Sequence, residues 1–242
     1  MSGHSKWATI KRAKGAADIK RGLTFTKISN AITIAVKQSG GITDPNSNFK
    51  LRLAMDEAKA ANMPKENVER AVQRAVNKSE GSLDEITYEG FAPNGVSVII
   101  EAATDNSLRT TSEIKSIFNK EGGSFGQPGT VSYQFQNLGR IIIPKNGKTS
   151  DEIFEMAVEA GAEDLEEAED SFFIYTQPQD LNLIKDSLVK LGLEVKGLEL
   201  IRKPTVKIAI TSPEKREQTI KFLQKIEDLD DVQKVYSNLD VH

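Results

Sequence analysis

Residues 140–201, RIIIPKNGKTSDEIFEMAVEAGAEDLEEAEDSFFIYTQPQDLNLIKDSLVKLGLEVKGLELI, decide how the rear of this chain folds. A strand at Arg140–Pro144 is followed by a helical pattern over Asp151–Ala160 and strands within Ala162–Gln177. A second helix over Gln179–Leu191 and a strand at Leu193–Ile201 close the run. Apolar residues every three to four positions mark the helices, and β-rich runs bounded by turn residues mark the strands. The order β-α-β-β-α-β is that of a ferredoxin-like domain, predicted over residues 139–204.

Each flank of that stretch carries half a domain. Ahead of it, Val96–Ala103 follows the Pro93-Asn94-Gly95 turn as a strand, Ser107–Lys120 reads as a helix and Val131–Phe135 alternates as a strand. Behind it come a strand at Val206–Ile210, a helix at Pro213–Ile226 and a last strand near Val232–Tyr236. The order permits the halves, residues 81–138 and 205–242, to complete one discontinuous ferredoxin-like domain into which residues 139–204 are inserted.

The front of the chain is helical. Thr24–Gln38 sets Phe25, Ile28, Ile32 and Val36 on one stripe and ends at Gly40-Gly41. Asp44-Pro45 offers an N-cap and a first-turn proline for a helix burying Leu51, Ala54, Met55, Ala58 and Ala61. A third helix opens at Pro64 and buries Val68, Ala71, Val72, Ala75 and Val76. Residues 1–80 therefore predict a small three-helix domain with an N-terminal arm. The whole is an α+β protein: three helices, then two ferredoxin-like α/β domains, one inserted in the other.

Charge is divided as sharply as structure. The 242-residue chain carries −3, yet residues 1–80 hold 15 Lys and Arg against 7 Asp and Glu, a net of +8, so residues 81–242 carry −11. Met1–Lys27 is densest, with Lys6, Lys11, Arg12, Lys14, Lys20, Arg21 and Lys27 against the single acid Asp18. Such a segment attracts a phosphodiester backbone without a preformed pocket. The nucleic-acid-binding candidates are these seven cations with His4, a phosphate or base contact, and Trp7, which either stacks on a base or packs back on the helices. Arg70, Arg74 and Lys78 share a helix face that reads as solvated surface, with Glu66 placed to pair with Arg70. No helix presents Arg, Asn and Gln along one face as a DNA-reading helix would.

Other classes find little support. The chain has no cysteine, and its two histidines, His4 and His242, stand at its extremes, away from any triad or metal-ligand spacing. A binding protein without metal or cofactor is expected; the alternative is an enzyme with a site in the cleft between the α/β domains. Gly122–Gly129 lacks the Lys-Ser/Thr ending of a phosphate loop and follows a helix, so it reads as a helix stop plus a turn, with contact to RNA as the lesser reading. The ten carboxylates of Asp151–Asp170 read as a solvated face, or as a dock for a basic protein surface or for the basic arm. No apolar run reaches membrane-span length, and a monomer in the cytosol is expected.

Several separated motifs resemble the YebC/PmpR family. They are Gly3-His4-Ser5-Lys6-Trp7, Ala17-Asp18-Ile19-Lys20-Arg21-Gly22 with Phe25-Thr26-Lys27, Ala61-Asn62-Met63-Pro64, Asn67-Val68-Glu69-Arg70-Ala71, Tyr88-Glu89-Gly90-Phe91, Thr104-Asp105-Asn106, Arg109-Thr110 and Gly122-Gly123. The family includes bacterial transcriptional regulators and the mitochondrial translational activator of cytochrome oxidase subunit I. The resemblance implies a helical domain followed by two α/β domains, nucleic-acid binding and a role in gene expression, on promoter DNA or on rRNA and the ribosome. Phe91-Ala92-Pro93-Asn94-Gly95 departs from the family's glycine-richer turn, and Asn94 is expected to take the left-handed conformation in its place. Ser107-Leu108 stand where a more basic pair is usual.

Overall fold

The computed structural model describes residues 17–77 and 83–240. It is a mixed α+β structure with seven α-helices and antiparallel sheets among the described residues. Two compact units divide it. One runs to Tyr133 and resumes over Ile208–Leu239; the other is Gln134–Lys207 with Asp240.

The first unit opens with three helices, α1 (Ala17–Gln38), α2 (Phe49–Ala60) and α3 (Lys65–Val76). Their shared core is Ile28, Ile32, Ala35, Val36, Leu51, Ala54, Ala58, Met63 and Ala71, with Phe25, Met55, Ala61, Val68, Val72 and Ala75 at its edge. The predicted stripes therefore pack together, except Val76, which is exposed. α1 begins seven residues before Thr24 and passes through Gly22, where nothing crowds the missing Cβ. It ends as expected, with Gly40 and Gly41 at positive φ and the Gly41 N–H donating to the Val36 carbonyl at 2.9 Å.

The cap of α2 is Asn48, not Asp44. The Asn48 side chain accepts from Leu51 N at 3.1 Å while its Nδ2 donates to Ala35 O at 2.9 Å, tying the helix start to α1. Asp44 instead folds its own turn, accepting from Asn46 N at 3.0 Å. A second buried face of α1, centred on Ile34, packs with Leu83 and Ala103 of the following sheet region.

That sheet has the order β3-β1-β2-β9, from β1 (Asp84–Phe91), β2 (Ser97–Thr104), β3 (Ser124–Phe125) and β9 (Val232–Ser237). α4 (Ser107–Glu121) and α7 (Pro213–Glu227) complete it. Inside, the fully buried Phe118 meets Phe125 and Phe222 edge-on at 5.6 and 4.9 Å between ring centroids. The β1–β2 turn holds Asn94 at φ 66°, ψ 22°, the expected left-handed conformation, and its Nδ2 donates to Thr219 Oγ1 at 3.0 Å. Gly90 is required by close approach, since a Cβ there would lie 2.5 Å from Ser124 O and 2.7 Å from Phe118 Cε1.

Two expected strands are absent from this sheet. Ser132–Gln134 is a 3-10 turn. Val131 N and Ser132 N donate to the Glu89 carboxylate at 2.7 and 2.9 Å, so those donors are unavailable to a ladder. Of Val206–Ile210, only β8 (Ile208–Ala209) is a strand, paired with β10 (Leu239–Asp240) in a separate ribbon. β1, which carries the Tyr88-Glu89-Gly90-Phe91 motif, occupies the sheet instead: Tyr88 opposes Ile100 and Gly90 opposes Val98.

The second unit has the sheet order β5-β6-β4-β7, from β4 (Phe135–Pro144), β5 (Asp164–Glu167), β6 (Ser171–Thr176) and β7 (Gly197–Pro204). α5 (Ser150–Glu159) and α6 (Leu181–Lys190) supply its helices. β4 begins at Phe135, ahead of Arg140, because its register with β7 continues to Phe135 opposite Pro204. Thr149 starts α5 with a capping box, its side chain bonded to Glu152 N and the Glu152 carboxylate to Thr149 N. The acidic stretch is partly neutralised from within the unit, Lys203 reaching Asp164 at 2.6 Å and Lys145 reaching Glu167 at 2.7 Å.

Candidate nucleic-acid interface

Six of the nine sequence candidates, His4, Lys6, Trp7, Lys11, Arg12 and Lys14, lie outside the described residues. Lys20, Arg21 and Lys27 lie on α1, so this part of the basic segment is helix and not an extended arm. Arg21 is exposed to solvent. Lys27 is half-buried, and its Nζ donates to the carbonyl of Glu227, the last residue of α7, at 2.6 Å. A cation there meets the negative end of that helix, so Lys27 joins the three-helix region to the sheet layer.

Beside these residues a groove of about 520 Å³ runs between α1 and α3. α1 offers Phe25, Asn30 and Thr33 to it, and α3 offers Asn67, Arg70 and Arg74. Gln73 and Asn77 also line it. Asn67, Arg70 and Arg74 follow one another at steps of three and four along one edge of α3, and Asn77, its C-cap residue, continues the spacing. The signal was present in that spacing. It was obscured because the amides alternate with the apolar stripe Val68, Ala71, Val72 and Ala75, which dominates the period.

The charge state of this edge also differs from expectation. Among the described residues Glu66 makes no ion pair with Arg70. The Arg70 guanidinium donates to Asn67 Oδ1, and its Nε lies 3.5 Å from the Glu66 carbonyl. Lys65 pairs instead with Glu69 at 3.3 Å. Arg70 is therefore oriented by neutral oxygens and keeps its positive charge for an anion. Among the described residues, no acidic one lines the groove.

Deeper in the groove, Thr33 is 1% exposed, and its hydroxyl lies within reach of the Ser29 and Ala71 carbonyls at 2.9 and 3.0 Å. Asn30 is 7% exposed. It lines the groove, and among the described residues none hydrogen-bonds to its carboxamide.

The glycine-rich loop is an anion cradle already filled by the chain itself. After Gly122 ends α4 at φ 81°, Gly129 N, Val131 N and Ser132 N all donate to the Glu89 carboxylate at 2.7–2.9 Å. Burial would raise the Glu89 pKa, but the amides outweigh it and hold the group below its ordinary value. The Thr104, Arg109 and Thr110 motif positions form a similar knot. Asp231 accepts from Arg109 at 2.8 Å, Thr110 at 2.6 Å and Thr104 at 3.1 Å, and despite burial its pKa is lowered by these donors. Both motifs close loops on a carboxylate, Glu89 buried and Asp231 half-buried.

Two family descriptions match the chain in sequence order: the TACO1/YebC protein N-terminal domain over residues 5–78, and the TACO1/YebC second and third domain over residues 83–239. The chain belongs to the TACO1/YebC family. It is 46% identical over 243 residues to a protein of Persephonella marina named "Probable transcriptional regulatory protein", spanning 100% of this chain and 96% of that one. A Chloroflexus aggregans protein of the same name is 45% identical over 246 residues, again spanning 100% and 96%. The crystal structure of a conserved hypothetical protein from Aquifex aeolicus superposes with a TM-score of 0.85 at 40% identity, covering 94% of this chain and 93% of that one. These relatives support a regulatory role.

Proposed function

We propose that this protein is a nucleic-acid-binding regulator of gene expression that grips phosphodiester backbones through its basic N-terminal segment and helical domain. The observation that carries the reading is the charge partition, +8 over residues 1–80 against −3 for the whole chain. Counterion release makes such a segment a backbone binder. The protein works as a binder and not as an enzyme, as a monomer in the cytosol.

Structured RNA, such as rRNA in the ribosome, is the favoured target. A helix that reads the DNA major groove must project its side chains outward, whereas the polar edge of α3 faces α1 across a groove. Promoter DNA is the second reading, favoured by the name of the bacterial relatives.

Two ferredoxin-like domains, residues 139–204 inserted within 81–138 and 205–242, act as spacer and adaptor. The strand order β5-β6-β4-β7 supports this for the inserted one. In the other, β1 takes the position of the third strand of that fold. The acidic inserted domain faces basic protein surfaces.

Crosslinking of the intact protein in cells followed by sequencing tests the reading. Reads concentrated on rRNA support the translation role, and reads on promoters select the transcription role. Reads on neither, at wild-type expression, overturn nucleic-acid binding as the function.

A further inference from the structure

The groove between α1 and α3 has the chemistry of a pocket for a single unpaired nucleotide, and we infer that it accepts a base extruded from a nucleic-acid strand. This rests on the nucleic-acid reading above and adds to it a site with a stated ligand. Its volume of about 520 Å³ falls within the range usual for small-ligand pockets.

Three kinds of wall meet there. Phe25 supplies an aromatic surface, against which a base freed from its stack gains most. Asn30, Asn67 and Gln73 supply carboxamides, whose paired donor and acceptor match the edge of a base. Arg70 and Arg74 supply cations for the attached phosphate, with no carboxylate among the described lining residues to compete for them.

Asn30 offers the most buried carboxamide of the groove. The Asn30 side chain is 7% exposed and hydrogen-bonds to no described residue, and its atoms are not among the fully enclosed unpartnered ones, so its carboxamide meets solvent where the groove opens. An incoming base edge would take that solvent's place. A paired base cannot enter, because its edge is occupied and its faces are covered by neighbours in the duplex. The site therefore selects loops, bulges and ends over duplex.

The test uses the full-length protein, titrated by fluorescence anisotropy with a hairpin RNA, the DNA hairpin of the same sequence and a blunt duplex of the stem alone. Two variants are compared with wild type: Asn30→Leu, and the double Arg70→Ala/Arg74→Ala. Both are expected to bind the hairpin loop roughly tenfold or more weakly while affinity for the blunt duplex holds. Melting temperatures of both variants are read alongside, so that a loss of binding is not mistaken for a loss of fold. Should Asn30→Leu fail to fold, the arginine pair carries the same comparison.

Loss on the RNA hairpin alone shows that the 2′-hydroxyl is also read; loss on both hairpins shows recognition of base and phosphate. Equal loss on hairpin and duplex would reduce the groove to a patch of charge, and no loss on any probe would remove it from binding. Either result overturns the pocket while leaving the nucleic-acid reading intact. Wild type binding none of the probes would instead sink that broader reading together with the pocket.

Discussion

The carboxylate of Glu89 accepts the backbone N–H of Val131 at 2.7 Å, joining residues 42 positions apart. With Gly129 and Ser132 donating to the same group, one side chain of β1 fixes the path of the loop that follows β3. Glu89→Gln keeps the shape but replaces one acceptor oxygen with a donor that faces other donors. It should destabilise the fold by about 1.5–3 kcal/mol at neutral pH, the range for hydrogen bonds to a charged group, measured by urea denaturation. Equal midpoints for the two proteins would show that the loop holds itself.

The same carboxylate predicts a pH dependence. Because its folded pKa lies below the ordinary 4.5, the folded state favours the ionised form. Its stabilisation is complete above the ordinary carboxylate range and is lost as pH falls through the lower folded value. Asp231 contributes with the same sign. Denaturation midpoints should fall more steeply with acidification for wild type than for Glu89→Gln, the two curves converging at low pH. Parallel curves would exclude Glu89 as a source of acid sensitivity.

Phe118 is fully buried between Phe125 and Phe222. Phe118→Ala should cost about 3–5 kcal/mol through lost contact and a cavity. A loss below 1 kcal/mol in an equilibrium denaturation series would mean that the three rings repack freely.

Lys27 and Arg21 were alike as candidate cations, and the fold separates them. Lys27→Met should lower stability by roughly 1 kcal/mol by removing the hydrogen bond to Glu227 O. Arg21→Ala, at an exposed position, should leave the melting temperature unchanged. Calorimetry of the two variants reads the difference directly, and the reverse ranking would refute the structural role of Lys27.

Replacing Lys11, Arg12, Lys20 and Arg21 together with alanine should weaken nucleic-acid binding at little change in melting temperature. Each lost phosphate contact should flatten the slope of log affinity against log salt by roughly 0.7–0.9. Unchanged affinity at two salt concentrations would take the basic segment out of the mechanism.

Local periodicity alone specified the three helices of the front and the element order of residues 140–201, because each element there buries one regular stripe against its neighbours. It also specified the polarity of charge, which no folding can alter. Where backbone donors went was decided only in three dimensions. Val131–Phe135 alternates like a strand, yet its first amides go to Glu89, and β1 takes the place in the sheet that Val206–Ile210 was expected to fill. The groove was likewise invisible in one dimension. Asn30 sits on a helix whose pattern announces only its apolar stripe, and its meaning depends on Arg70 and Arg74 arriving from a separate helix. A sequence records which groups a chain carries; which of them remain unsatisfied after burial depends on neighbours that only tertiary packing brings together.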